Sequence, residues 1–147
     1  MKETKGGFLI TQIKQIQGRV FDSLLQKAGI EEFNGAQGRI LYVLWQEDNL
    51  PIIELSKRTG LAKTTLTSML DRMEAKGFLK RTADPQDRRA FRINLTPKAK
   101  ALSGQYDDVS DEMSCIFYEN FTDEEIDQFE GFLERILTNL ISKERKG

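Results

Sequence analysis

Lys63, Thr64, Thr65, Thr67, Ser68 and Arg72 stand close together in the chain and share a chemistry. Hydroxyls donate and accept hydrogen bonds, and a long cation reaches a phosphate or a guanine edge. In the same stretch Leu66, Met69, Leu70 and Met73 recur at i, i+3, i+4 and i+7. That spacing is one stripe of an α-helix and predicts a helix over 62–76. The opposite side then carries Thr64, Ser68, Asp71 and Ala75, flanked by Thr65, Thr67 and Arg72. A slim, hydroxyl-lined face of this kind can enter a DNA major groove. Gly77 is placed to end the helix, with Phe78 folding back on Met73.

The composition removes other chemistries. There is no histidine, so the commonest general base and the commonest metal ligand are missing. Cys115 is the only cysteine, so no intrachain disulfide forms and a structural zinc site is not expected; the residue reads as a small core side chain. The acidic runs Asp107-Asp108 and Asp123-Glu124-Glu125 read as solvated helix positions rather than paired catalysts. No catalytic residue, metal or cofactor is expected. The apolar start around Phe8, Leu9 and Ile10 is too short for a signal peptide or a membrane span, and a reducing cytoplasm is the expected location.

Charge is distributed unevenly. The formal net charge is −1. From Pro51 to Lys100, however, there are twelve Lys/Arg and five Asp/Glu, a net of +7. The remainder holds ten basic and eighteen acidic residues, a net of −8. A basic middle between acidic ends points to a local polyanion site.

Other elements must position that site. Leu9, Ile13, Ile16, Val20, Leu24 and Ala28 predict a helix over 8–28. Asn34 with Gln37 is a capping box for a second helix, whose Ile40, Leu41, Val43, Leu44 and Trp45 make it central and buried. Gly35 and Gly38 weaken its start. Pro51 suits the first turn of a third helix, with Ile52, Ile53 and Leu55 as its apolar face. Thr59-Gly60-Leu61 is a tight turn into the polar-faced helix, which makes a helix-turn-helix. After Gly77 the period switches to two. Residues 78–83 and 88–95 read as a β-hairpin around Asp84-Pro-Gln-Asp87, with Phe91, Ile93 and Leu95 on one side. Thr96-Pro97 opens a long helical section to about Tyr118, with a heptad-like seam of Leu102, Tyr106, Val109, Met113, Ile116 and Phe117. Thr122 with Glu125 is a second capping box, and Phe121 with Ile126 a hydrophobic staple. The last helix is too apolar on too many sides to stand alone, and a second copy of the chain is the economical partner.

Asp87-Arg-Arg89, five residues and then Leu95-Thr96 resemble the D-x-R-x5-L-T wing signature of the MarR (multiple antibiotic resistance regulator) family. Glu54-Leu55, Thr64-Thr65-Leu66-Thr67, Asp71-Arg72-Met73-Glu74, Lys76-Gly77-Phe78 and Arg81 are similar to the helix-turn-helix of the same family. Two features depart from it. Ala99 stands where many members have glycine, and Cys115 is not in the first helix, where the redox-sensing branch carries its cysteine.

The resemblance implies a mainly α fold with a small β-hairpin wing: a winged helix-turn-helix domain (34–97) between an N-terminal helix (1–33) and C-terminal helices (98–147) that dimerise. It implies a homodimer that binds double-stranded operator DNA at a pseudo-palindrome, usually as a repressor. Base edges would be met by Lys63, Thr64, Thr65, Thr67 and Ser68, and phosphate or guanine by Arg72. The wing arginine maps to Arg89, with Arg88 and Arg92 on the backbone and Asp87 holding an arginine in place. Members often take a small aromatic or anionic effector between the dimer helices and the winged domain, and Arg19, Phe21, Tyr42 and Trp45 are the residues that would line such a pocket. At helical spacing the same four also fit a core. The alternative function is a winged-helix protein-interaction module without operator specificity. The dense cations at 80–92 argue against it.

Overall fold

A computed structural model describes residues 1–146. It contains α1 (Gly6–Lys27), α2 (Gly35–Gln46), β1 (Leu50–Pro51), α3 (Ile52–Thr59), α4 (Lys63–Ala75), β2 (Leu79–Asp84), β3 (Asp87–Leu95), α5 (Pro97–Lys100), α6 (Ser103–Phe117) and α7 (Asp123–Lys146). The chain divides into two compact units, Met1–Met113 and Ser114–Gly147. The architecture is a winged helix, mainly α with a small antiparallel sheet.

In the first unit α2 is the central helix and packs against α1, α3 and β3. Its start is fixed as the sequence requires. Asn34 Oδ1 accepts from the Gln37 N–H at 2.9 Å, and Gln37 Oε1 accepts from the Asn34 N–H at 3.2 Å. Ile40, Leu41 and Leu44 are buried from α2, Leu55 from α3, Leu66, Leu70 and Met73 from α4, and Phe78, Leu79 and Ile93 from the sheet. The two glycines of α2 are accommodated by close packing. A Cβ on Gly35 would lie 3.0 Å from Phe21, and one on Gly38 would lie 2.6 Å from the Tyr106 ring.

The sheet has order β1-β3-β2, all antiparallel. The hairpin β2–β3 forms as expected, and its register runs from Leu79 opposite Leu95 to Ala83 opposite Phe91, with an irregularity between Ala83 and Asp84. β1 is not foreseen by the sequence pattern. Two residues carry no periodicity, and the strand exists only because Leu50 and Pro51 pair with Ile93 and Arg92. Pro51 therefore sits in extended backbone (ψ 151°) just before α3, rather than inside its first turn. Ile53, expected on the apolar face, is 60% exposed, and Leu55 and Thr59 supply the buried face instead. Phe91 shares a side of β3 with Ile93 and Leu95 but is 51% exposed, because the hairpin reaches past the core at that point.

The long section after Thr96 is broken into α5 and α6 by a turn at Ala101–Leu102. Thr96 Oγ1 accepts from the Ala99 N–H, as its N-cap position predicts, and Tyr106, Val109 and Met113 of the seam are buried.

In the second unit the expected capping box is present. Thr122 Oγ1 accepts from the Glu125 N–H at 3.1 Å, and Glu125 Oε1 from the Thr122 N–H at 2.9 Å. Phe117, Tyr118, Phe121 and Phe129 form an aromatic cluster with centroids 4.8–6.4 Å apart. Cys115, expected in a core, is exposed. No residue of α7 is buried. Among the described residues no helix is long and apolar enough to cross a membrane.

Candidate nucleic-acid interface

The turn that aims α4 is built by two hydroxyls and one glycine. Gly60 has φ 75°, a left-handed conformation that costs a side-chain-bearing residue energy. Ser56 Oγ donates to the Leu61 carbonyl at 2.7 Å. The buried Thr59 Oγ1 donates to the Leu55 carbonyl at 2.8 Å and accepts from the Leu61 N–H at 3.3 Å. These bonds satisfy backbone groups that a tight turn would otherwise leave orphaned.

From that turn α4 sinks Leu66, Leu70 and Met73 completely and leaves Lys63, Thr64, Thr65, Ser68 and Arg72 exposed. Met69 is only half-buried. Thr67 is half-buried too, and its hydroxyl donates to the Lys63 carbonyl at 2.8 Å. It therefore offers a ligand acceptor lone pairs and a methyl rather than a free donor. The helix ends at Gly77 (φ 84°) as expected, with the Phe78 N–H donating to the Met73 carbonyl at 3.0 Å and Phe78 buried.

Several bonds fasten the wing to α4. Thr96 Oγ1 donates to the Gly77 carbonyl at 2.6 Å, and Lys98 Nζ donates to the Lys76 carbonyl at 3.0 Å while standing over the Phe78 ring. Arg81 of β2 reaches back to α4. Its guanidinium pairs with Asp71 and lies 3.7 Å from Glu74, and its backbone N–H donates to Glu74 at 3.2 Å. A partly buried cation between two carboxylates makes the second half of α4 and the first half of the wing one piece. Arg81 stands in the quoted helix-turn-helix pattern, but its partners are not readable from periodicity.

At the wing tip Arg88 and Arg89 are exposed, and neither side chain forms an ion pair among the described residues. Asp87 Oδ1 accepts from the backbone N–H of Arg89 at 3.0 Å, a charge-assisted bond that holds the arginine's main chain and shapes the strand start. Arg92 differs from its neighbours. Its Nε donates to Asn49 Oδ1 at 3.0 Å, its Nη2 donates to the Asn49 carbonyl at 2.6 Å, and its Nη1 lies 3.6 Å from Asp84.

Three of the four proposed pocket residues surround Tyr106. Phe21, Tyr42 and Trp45 have ring centroids 5.6, 6.3 and 5.1 Å from it, and the Trp45 indole N–H donates to the Ala99 carbonyl at 3.0 Å. Tyr106 is 6% exposed, and burial raises its pKa above the ordinary tyrosine value. Tyr106 is the buried centre of the group, Phe21 and Trp45 are half-buried around it, and Tyr42 is 42% exposed. Arg19 lies exposed on α1, outside that cluster.

Residues 33–91 match the profile of the MarR family. The chain is 39% identical over 90 residues to the HTH-type transcriptional regulator TtmR of Methylorubrum extorquens (strain PA1), covering 61% of this chain and 45% of that protein. It is 36% identical over 93 residues to the uncharacterized HTH-type transcriptional regulator YsmB of Bacillus subtilis (strain 168), covering 63% of this chain and 64% of that protein. The matches thus span between about half and two thirds of these relatives' lengths. Its fold superimposes on a mutant MarR from E. coli complexed with operator DNA, with a TM-score of 0.80 and 26% identity over 89% of this chain and 92% of that one. The match to the MarR family thus falls on residues 33–91, which hold most of the winged helix just described.

Proposed function

We propose that the chain is a transcriptional regulator that binds double-stranded DNA as a homodimer at a pseudo-palindromic operator, acting as a repressor in the cytoplasm. One observation carries this reading: the exposed row Lys63, Thr64, Thr65, Ser68 and Arg72, on a helix whose other side is core, is tied through Arg81 to a hairpin bearing the exposed Arg88 and Arg89, which form no ion pair among the described residues. The relative of known structure that binds operator DNA shares this fold. In this reading α4 enters the major groove with its N-terminal half against base edges, and Arg72 takes a phosphate or a guanine. Arg89 sits in the flanking minor groove, where narrow A·T-rich DNA concentrates negative potential. Two copies need half-sites about one helical turn apart. An effector, a small aromatic or anionic molecule, acts only by preferring one separation of the two winged domains. A tenfold preference shifts the balance by about 1.4 kcal/mol.

The test begins with selection of bound fragments from random DNA by the purified chain, which yields the operator and its spacing. Arg89→Ala is then compared with the parent across a salt series. The expected result is about tenfold weaker binding and a salt slope shallower by about one phosphate contact. Equal affinity and an equal slope would remove the wing from the interface.

A further inference from the structure

Arg92 looks like one more phosphate-seeking cation, yet all three of its guanidinium nitrogens face groups of its own unit. Two meet Asn49, through the side-chain and backbone oxygens, and the third faces Asp84. Asn49 belongs to the corner between α2 and β1 and is held at φ 58°, a left-handed conformation that presents both oxygens to the same guanidinium. Asp48 beside it secures the corner. Its Oδ1 accepts from the Asn49 N–H at 2.8 Å and from the Leu95 N–H of β3 at 2.9 Å. At the other end Asp84 Oδ1 accepts from the Gln86 N–H at 2.9 Å and closes the wing turn. Hydrogen bonds and one ion pair, Arg92 with Asp84, therefore link the corner after α2 through Arg92 to the turn of the hairpin.

We propose that Asn49 and Arg92 form a clasp that sets the angle of the wing, so that Arg92 is a positioning residue for Arg88 and Arg89 and not itself a DNA ligand. The inference rests on the DNA-binding reading above. A free hairpin of this length would sample many directions, and each binding event would have to select one. A clasped hairpin is already oriented. Arginine suits the task because its planar fork takes two acceptors and a carboxylate at once, which an ammonium cannot.

The decisive variant carries no charge change. Asn49→Gly keeps the left-handed backbone and removes the side-chain acceptor. On the selected DNA it is expected to bind about five- to tenfold more weakly with an unaltered salt slope. Arg92→Lys, which retains the charge, should be weakened to a similar degree. The double variant Asn49→Gly/Arg92→Ala should bind no more weakly than Arg92→Ala alone, as coupled residues do. If Asn49→Gly binds like the parent while Arg92→Ala loses about one unit of salt slope, Arg92 is a phosphate ligand and the clasp is wrong. A second measurement needs no DNA. Amide hydrogen exchange over residues 84–91 of the free protein should quicken in Asn49→Gly and in Arg92→Lys, and unchanged exchange overturns the clasp. If the parent selects no DNA at all, the operator reading fails, and exchange alone decides the clasp.

Discussion

Gly38 shows how a residue that looks unfavourable locally is required by packing. In an exposed helix a glycine costs up to about 1 kcal/mol relative to alanine. Here a methyl group would lie 2.6 Å from the Tyr106 ring and 3.1 Å from Phe33. Neither ring can swing away easily. Tyr106 is wedged among Phe21, Phe33, Tyr42 and Trp45, and Phe33 also packs edge-on against Phe78. Gly38→Ala is therefore expected to destabilise the first unit by about 1–3 kcal/mol despite its better helix propensity, since overpacking outweighs the propensity gain. Thermal or urea unfolding measures this directly. A more stable Gly38→Ala protein would show that the aromatic cluster has slack. Compensation by Tyr106→Leu in the same background would confirm which ring is struck.

At the scale of elements, the end of α6 and the body of α7 are joined by Tyr118, whose hydroxyl donates to Glu130 Oε2 at 2.6 Å. Burial, then the hydrogen bond to Glu130 and its negative charge, push the Tyr118 pKa up to about 12. A raised folded pKa means that the bond's stabilisation is complete below the unfolded tyrosine value near 10 and is lost as pH climbs toward about 12. A spectrophotometric titration should show one tyrosine ionising at about 12, absent in Tyr118→Phe, and a titration that Tyr118→Phe leaves intact would refute the pairing. Helices of this kind were legible in the sequence. Both capping boxes, the glycine stops at 60 and 77, the hairpin turn and the buried stripe of α4 follow from short-range spacing, and spacing is what a linear sequence displays. The hydroxyl face of α4 was legible for the same reason. What escaped were features fixed by partners distant in the chain. β1 is a strand only through β3, and Arg81 and Arg92 find their partners 10 and 43 residues away. Ile53, Phe91 and Cys115 are exposed because of where their elements stand, which residue type does not reveal. For the same reason the sequence could not divide the wing arginines into those left free and the one already engaged.

The whole molecule poses a question that its own two units leave open. α7 carries Phe132, Ile136, Leu137, Leu140 and Ile141, all exposed, with Leu140 at 63%. α1 separately exposes Phe8, Leu9, Ile10, Ile13 and Ile16. Scattered apolar residues on a surface need no explanation, but stripes at helical spacing on two helices do. Each leucine or phenylalanine removed from water contributes about 1.5–3 kcal/mol, so covering even half of these side chains would outweigh the several kcal/mol of freedom lost on association. A second copy is the expected cover, because an isologous contact lets one stripe serve both partners. Light scattering at micromolar concentration should then give twice the 16.9 kDa chain mass. Leu137→Asp with Leu140→Asp should give the single-chain mass. Each monomer would present one α4 and one wing, so affinity for the two-half-site operator should fall by far more than tenfold, while affinity for a lone half-site stays near that of the parent. A parent chain that is monomeric at those concentrations, or a monomeric variant that keeps full operator affinity, would separate the apolar stripes from the recognition of DNA.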